Sequence, residues 1–290
     1  MNFIYQLDIY KMTMEWFYSL YEDRETKKLN FHKYNVRDKF NMIICKQTEK
    51  GRRFGMFADP YKLMDHSNSL EPEDRCFYEV ILGKRARKPY FDIDVDLTHN
   101  PEINREVFDS YIEEFVENIK DFVSTYTPKI IVFTSHREDK LSYHIVVDRV
   151  YLKTNEDSKI FADKVLTDNL KEYVDSRVYN TVQQLRIIGS RKYGKKNVKK
   201  VDFMLSDNFY IPKTFKPRER EIYILASSLV CITEGCKLLE MEHPKKPRSN
   251  RMKGAAKVYD VDLALDALSK HYDNFEPKQI RDFDATSGSP

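Results

Sequence analysis

Three aspartates alternate with apolar residues in the run YFDIDVD, residues 90–96. In an extended strand successive side chains point to opposite faces. Asp92, Asp94 and Asp96 therefore share one side, and Phe91, Ile93 and Val95 take the other. Same-side neighbours lie about 6–7 Å apart along the backbone, a separation at which carboxylates can bridge divalent ions. Hard oxygen donors of this kind suit Mg²⁺ or Mn²⁺. Without a cation, mutual repulsion would push one carboxyl up. The alternation also fits a solvent-facing acidic strand, although aspartate is a poor strand former.

A second run, KLSYHIVV, alternates in the same way, so Lys140, Ser142 and His144 share an edge. An ammonium, a hydroxyl and an imidazole side by side make a cradle for a triphosphate. A Ser/His pair also suits a hydrolase, but neighbours on one strand form a poor triad, and no G-x-S-x-G elbow occurs. A third acid, Asp175, opens the stretch VDSRVYNTVQQLRIIGSRKYGKK. Arg186 follows within a short strand, and Arg191, Lys192, Lys195 and Lys196 occupy a glycine-containing loop beyond it. Basic residues on such a turn commonly meet phosphates.

These side chains need strands and helices to position them. Residues 40–58 read as a hairpin around Lys50-Gly51, with Arg52 and Arg53 at the mouth of its second strand. Strands are expected at 77–82 and 89–96. The Asn100-Pro101 start and apolar spacing of three and four predict a helix over 101–126. Strands follow at 128–136 and 142–152 around a polar REDK turn, then a helix over 155–173. A short strand and basic loop fill 182–200, strands resume at 222–240, and a short helix is expected near 260–272. Residues 4–22 also show helical spacing, ending at Trp16 and Phe17. The fold class is α/β (α+β), with mixed sheets and flanking helices rather than a doubly wound parallel sheet.

With 290 residues, 41% hydrophobic and 33% charged, the chain reads as soluble and globular, one large domain or two small ones. A net charge of +3 is too small to indicate a nucleic-acid partner by itself; the clustering of the basic residues matters more. Nineteen Tyr and 18 Phe could stack on bases or serve as ordinary core. No apolar run reaches the roughly 18 residues of a membrane span, and the N-terminus lacks signal-peptide features. Four scattered cysteines fit buried thiols in a reducing, intracellular setting. Cys231, Cys236 and His243 in CITEGCKLLEMEH are one ligand short of zinc, and LVCITEGCKLL reads better as two strands joined at Glu234-Gly235. No convincing zinc site is read there.

The order D-x-D, then S-x-H, then a lone Asp ahead of an Arg-bearing strand and basic loop resembles the archaeo-eukaryotic primase (AEP) superfamily. It is closest to the PrimPol branch and the primase part of poxvirus-type primase–helicases. CFYEVILGKRARKPYFDIDVD, KLSYHIVV and VDSRVYNTVQQLRIIGSRK carry the resemblance, and GRRFGMF is similar to the family's N-terminal nucleotide-contacting stretch. Residues 40–200 are covered well, 1–40 and 200–240 weakly, and 245–290 hardly. The resemblance implies a primase-polymerase core over 41–240 with an RRM-like half, after an N-terminal helical segment, 1–40. A basic linker (243–257), short helix and flexible tail would complete 241–290.

It further implies that Asp92, Asp94 and Asp175 bind two Mg²⁺ or Mn²⁺ ions, which activate a primer or initiating hydroxyl for attack on the α-phosphate. Lys140, Ser142 and His144 would hold the triphosphate of an NTP or dNTP, with Arg53 and Arg186 neutralising further charge. Arg191, Lys192 and Lys195 would contact phosphate or the single-stranded DNA template. Asp96 is an extra acid, not a ligand. Family members often add a zinc module needed for priming, and none is evident here. No G-x-x-x-x-G-K-[ST] loop occurs, so a helicase domain or subunit would lie outside this chain. The setting would be DNA replication, in the nucleus or, for a viral protein, the host cytoplasm. Two other readings remain. A D-x-D glycosyltransferase leaves S-x-H, Asp175 and the basic loop unassigned, and a non-catalytic single-stranded nucleic-acid-binding domain leaves the acids unexplained.

Overall fold

A computed structural model describes residues 16–26, 28–30 and 42–243. Among them, two four-stranded antiparallel sheets carry the fold. The first sheet contains β3 (Met42–Thr48), β4 (Gly51–Phe57), β5 (Phe77–Leu82) and β10 (Val182–Arg186), in the order β10-β5-β3-β4. The second contains β6 (Tyr90–Asp96), β7 (Lys129–Thr134), β8 (Lys140–Asp148) and β11 (Lys200–Asp207), in the order β11-β7-β8-β6. The expected α+β class, with mixed strand order and flanking helices, is what the chain forms. No helix among the described residues is long and apolar enough to cross a membrane.

The predicted β3–β4 hairpin turns at Gly51, whose φ of +107° lies where an L side chain is strained. Helix α1 (Pro60–Asn68) is capped by Asp59, which accepts from Lys62 N. It packs with α4 (Pro217–Ser228) over Met42, Ile44 and Phe77 of the first sheet. Phe17, Leu20, Tyr21 and Leu29 lie against the other face, where two short strands form, β1 (Tyr21–Asp23) and β2 (Lys28–Leu29). The described part of the predicted 4–22 helix is therefore not helical; residues 1–15 lie outside the described residues.

The second sheet buries its apolar face under α2 (Arg105–Phe122) and α3 (Asn155–Val165). Phe108, Ile112, Phe115 and Ile119, spaced at three and four, are fully buried, each contributing about 1.5–3 kcal/mol. Phe91 meets Phe115 edge-on at 4.8 Å, which fixes the facing of β6. Helix α2 starts at its cap Asn104, which accepts from Val107 N, rather than at Asn100, whose side chain instead reaches back to the Asp96 carbonyl. Helix α3 begins with a Thr154–Asp157 capping box and ends at Leu166, well short of the expected 173. Beyond it the chain must reach an extended path beside β6.

Two further expectations fail. Residues 217–228 are helix, not strand. Two strands were expected in LVCITEGCKLL, but only β12 (Lys237–Leu238) forms, pairing in parallel with β9 (Val150–Tyr151). Cys231, Cys236 and His243 have separate surroundings: Cys231 is buried beside Glu79, Cys236 lies by Asp148, and His243 Nε2 is 2.7 Å from Asp157. The linker beyond His243 and the helix near 260–272 lie outside the described residues.

Candidate active site

Register places the two sequence runs opposite each other. β6 pairs with β8 so that Asp92 faces His144, Asp94 faces Ser142 and Asp96 faces Lys140. Directly opposed residues in an antiparallel pair project from the same face. The acids of one strand and the hydroxyl, imidazole and ammonium of the other therefore form one surface. β7 extends it, with Ser135 N donating to the Ser142 carbonyl.

Asp175 joins from the free edge of β6. Val174 bridges to Ile93, Asp175 N donates to the Asp92 carbonyl at 2.9 Å, and Asp94 N donates to the Tyr173 carbonyl at 3.0 Å. Asp175 thus stands opposite Asp92, 83 positions away in the chain. The early end of α3 frees the residues that make this approach.

The acids line a cleft of about 330 Å³ walled on its far side by β5 and β10, through Tyr78, Gln184 and Arg186. Lys192, Lys195 and Asn197 close it from the loop after β10. Six Lys and Arg side chains line it against three carboxylates, so the cleft favours a polyanion.

Each carboxylate meets a basic group of its own chain. His144 Nε2 lies 3.0 Å from Asp92 Oδ1, Lys140 Nζ lies 2.7 Å from Asp94 Oδ2, and Arg177 forks onto both Asp175 oxygens at 2.9 and 3.1 Å. Burial pushes the Asp92 carboxyl up, but His144, Lys199 and Lys140 outweigh it and hold the group well below its usual range. Burial also lowers His144, only partly offset by Asp92. Arg186, lowered by burial, donates to Ser135 Oγ at 2.6 Å.

Asp92 Oδ1 and Asp94 Oδ1 are buried without an aligned hydrogen-bond donor; the His144 approach is close but not well directed. Orphaned carboxylate oxygens of this kind suit a hard cation. Asp175 is turned into Arg177, and among the described residues no three acidic, His or Cys groups converge closely enough to hold a metal ion. The donor set fits a divalent cation at Asp92 and Asp94, whereas both Asp175 oxygens are engaged by Arg177.

Of the residues expected to hold metal, nucleotide or template, Lys140, Ser142, His144, Arg186, Lys192 and Lys195 line the cleft with the three acids. Arg53 and Arg191 do not. Arg53 stacks on the Tyr18 ring at 4.6 Å, and Arg191 lies toward Glu73 at 3.7 Å. Asp96 takes the Thr98 amide and hydroxyl and His99, turning the chain at the end of β6. Sequence reasoning missed Tyr78, Ser135, Arg137, Arg177, Gln184 and Asn197. Ser135 was within reach, because the REDK hairpin register sets it opposite Ser142; the others depend on how the sheets meet.

No family model matches the chain. It is similar to provisionally named helicase/primase complex proteins of African swine fever virus. Identity is 28% over 215 residues with an isolate from Kenya, 27% over 225 with the Badajoz strain, and 31% over 213 with a tick isolate from Malawi. These matches cover 67%, 67% and 62% of this chain but only 20%, 20% and 19% of the relatives. The chain thus spans about a fifth of the length of the curated relatives it matches, and it is related in sequence to viral proteins named for a helicase/primase complex.

Proposed function

We propose that this chain is the catalytic part of a viral DNA primase or primase-polymerase, joining nucleotides on single-stranded DNA for replication. One observation carries the reading: acids suited to divalent cations and side chains suited to phosphates meet, in strand register, in a single cleft. The relatives' names point the same way. Asp92, Asp94 and Asp175 would hold Mg²⁺ or Mn²⁺, which when bound supplies Lewis-acid activation of the attacking hydroxyl and stabilises the leaving pyrophosphate.

The chain's own residues do the rest. Lys140 and Arg177, paired to acids when no nucleotide is present, are free to turn onto phosphate oxygens once cations neutralise those acids. Ser142 and His144 donate hydrogen bonds to the same triphosphate, and Arg186 adds a fixed charge from the opposite sheet. Lys192 and Lys195 reach phosphate or template backbone from the loop. A helicase, on the same longer protein or another subunit, is the expected partner, and the host cytoplasm the expected setting.

Incubation with Mn²⁺ or Mg²⁺, single-stranded template and labelled NTPs or dNTPs, with and without primer, tests this. Incorporation that disappears in Asp92→Ala/Asp94→Ala is expected. Incorporation that survives the double substitution would sink the assignment, and tight DNA binding without any incorporation would favour a non-catalytic binding domain.

A further inference from the structure

The edge strand β11 leaves its neighbour midway. It pairs with β7 from Lys200 to Asp202 and again at Asp207, so residues 203–206 stand opposite Ile131 alone. A bulge of this kind swings side chains away from the ladder. This one is held from within. Asp202 Oδ1 accepts from Met204 N and Leu205 N at 3.1 and 3.3 Å. Ser206 Oγ donates to the Asp202 carbonyl at 2.6 Å and accepts from Val132 N at 3.0 Å, standing in for a strand bond. The bulge presents Phe203, 48% exposed, and Met204, 90% exposed.

Phe203 is also the outer ring of a stack. It lies parallel to Phe209 (6.0 Å, 6°), and Phe209 lies parallel to Tyr223 of α4 (5.5 Å, 5°). Tyr223 is fixed in turn, because Lys129 donates to its hydroxyl at 2.6 Å and Phe215 meets it edge-on at 5.6 Å. Among the described residues no second ring meets Phe203, so the column is open at its solvent end. An open column of parallel rings accepts another flat ring. Phe215 ties the stack to a basic stretch, residues 208–220, where Lys213, Lys216, Arg218 and Arg220 are exposed against the single acid Glu219. Lys213 and Lys216 flank Phe215 in the chain. The nearby acids are already paired, Asp202 with Arg105 and Asp207 with Lys120.

A ring face beside ammonium groups suits a base and its phosphate. Two exposed apolar side chains fall far short of the roughly 800 Å² per partner of a stable protein interface. The place fits as well. Asn197, which lines the cleft, precedes Phe203 by six residues, at most about 20 Å of chain.

We propose that Phe203 is a stacking platform for a base of single-stranded DNA running past the cleft, with Lys213 and Lys216 on its phosphates. Stacking tolerates any base, which suits a template of varying sequence. That the strand is a template rests on the primase reading above; the stacking surface itself does not.

Two substitutions and two oligonucleotides test the platform. Phe203→Leu keeps apolar bulk without a ring, and Phe203→Trp keeps a ring. Binding is read by fluorescence anisotropy with a labelled mixed-sequence strand of about 20 nucleotides, longer than the ~4–16 that one small domain covers, and with an abasic strand of equal length. Phe203→Leu should bind the base-bearing strand about tenfold more weakly, and Phe203→Trp should match wild type. Both variants should bind the abasic strand, and Mg²⁺ with a non-hydrolysable dNTP, as wild type does. Unchanged binding of the base-bearing strand by Phe203→Leu would overturn the platform and leave the bulge to a protein partner. An equal loss on the abasic strand would overturn it too, since no base is then involved. Wild type that shows the expected pattern but incorporates no nucleotide would sink the primase reading and leave the platform standing.

Discussion

Asp94 and Asp96 lie two residues apart on one strand face, yet their surroundings assign them different work. Asp94 keeps a buried, unsatisfied oxygen and pairs its other oxygen with Lys140 of the neighbouring strand, whereas both Asp96 oxygens hold the turn at Thr98 and His99. Asp94→Asn should lower nucleotide incorporation by about 10²-fold, the scale on which a single electrostatic group acts in a transition state. Asp96→Asn should leave it within about twofold. Single-turnover assays on both variants check this, and equal losses would contradict it. This contrast was partly legible in the sequence, because alternation put the three acids on one face of β6 and Lys140, Ser142 and His144 on one face of β8. Alternation could not reveal that Lys140, drawn opposite Asp96 by register, turns to Asp94 instead. Nor could it place Arg177 on Asp175, since that contact depends on the turn the chain takes after α3.

At the level of elements, β6 and α2 were legible because their burial is one-sided and the matching period shows in sequence. β3 and β5 bury successive residues on both faces, so they show as short apolar runs, and the Lys50-Gly51 turn marked the β3–β4 hairpin. α4 was mistaken for strand because EIYILASSLVCI is apolar nearly throughout, and such a run does not distinguish helix from strand. The helical signal lay upstream, in Pro217 at the first turn and Glu219 accepting from Lys216 N. β11 escaped notice because it is an edge strand that leaves Phe203 and Met204 exposed, blurring its alternation.

Helix α1 carries a pH consequence of its own. His66 packs among Trp16, Phe57 and Phe77 with its Nε2 buried and unpartnered, and burial, then Lys46, lowers its pKa from 6.5. The fold thus favours the neutral ring, and stability is fully present above about pH 6.5. As pH falls through that value, the unfolded chain takes up a proton the folded one does not, and stability is lost. Thermal melts between pH 7.5 and 5 (roughly spanning that titration) should show a shallower decline for His66→Phe than for wild type. Identical slopes would contradict the assignment.

For the molecule as a whole, the cleft exists because two sheets of different origin in the chain meet. The β6–β8 surface brings the acids, and β10 with its following loop brings Arg186, Lys192 and Lys195. Neither sheet alone combines the two chemistries. The sequence order of motifs suggested that combination, but the missing half of the lining came only with the packing of one sheet against the other. The central claim is that this cleft holds a divalent cation and a triphosphate together. Anomalous scattering from crystals grown with Mn²⁺ and a non-hydrolysable dNTP tests it most directly. The account predicts manganese at Asp92 and Asp94, Arg177 swung off Asp175, and phosphates against Lys140, Ser142 and Arg186. Manganese and nucleotide bound elsewhere, with the three acids still paired to His144, Lys140 and Arg177, would contradict it.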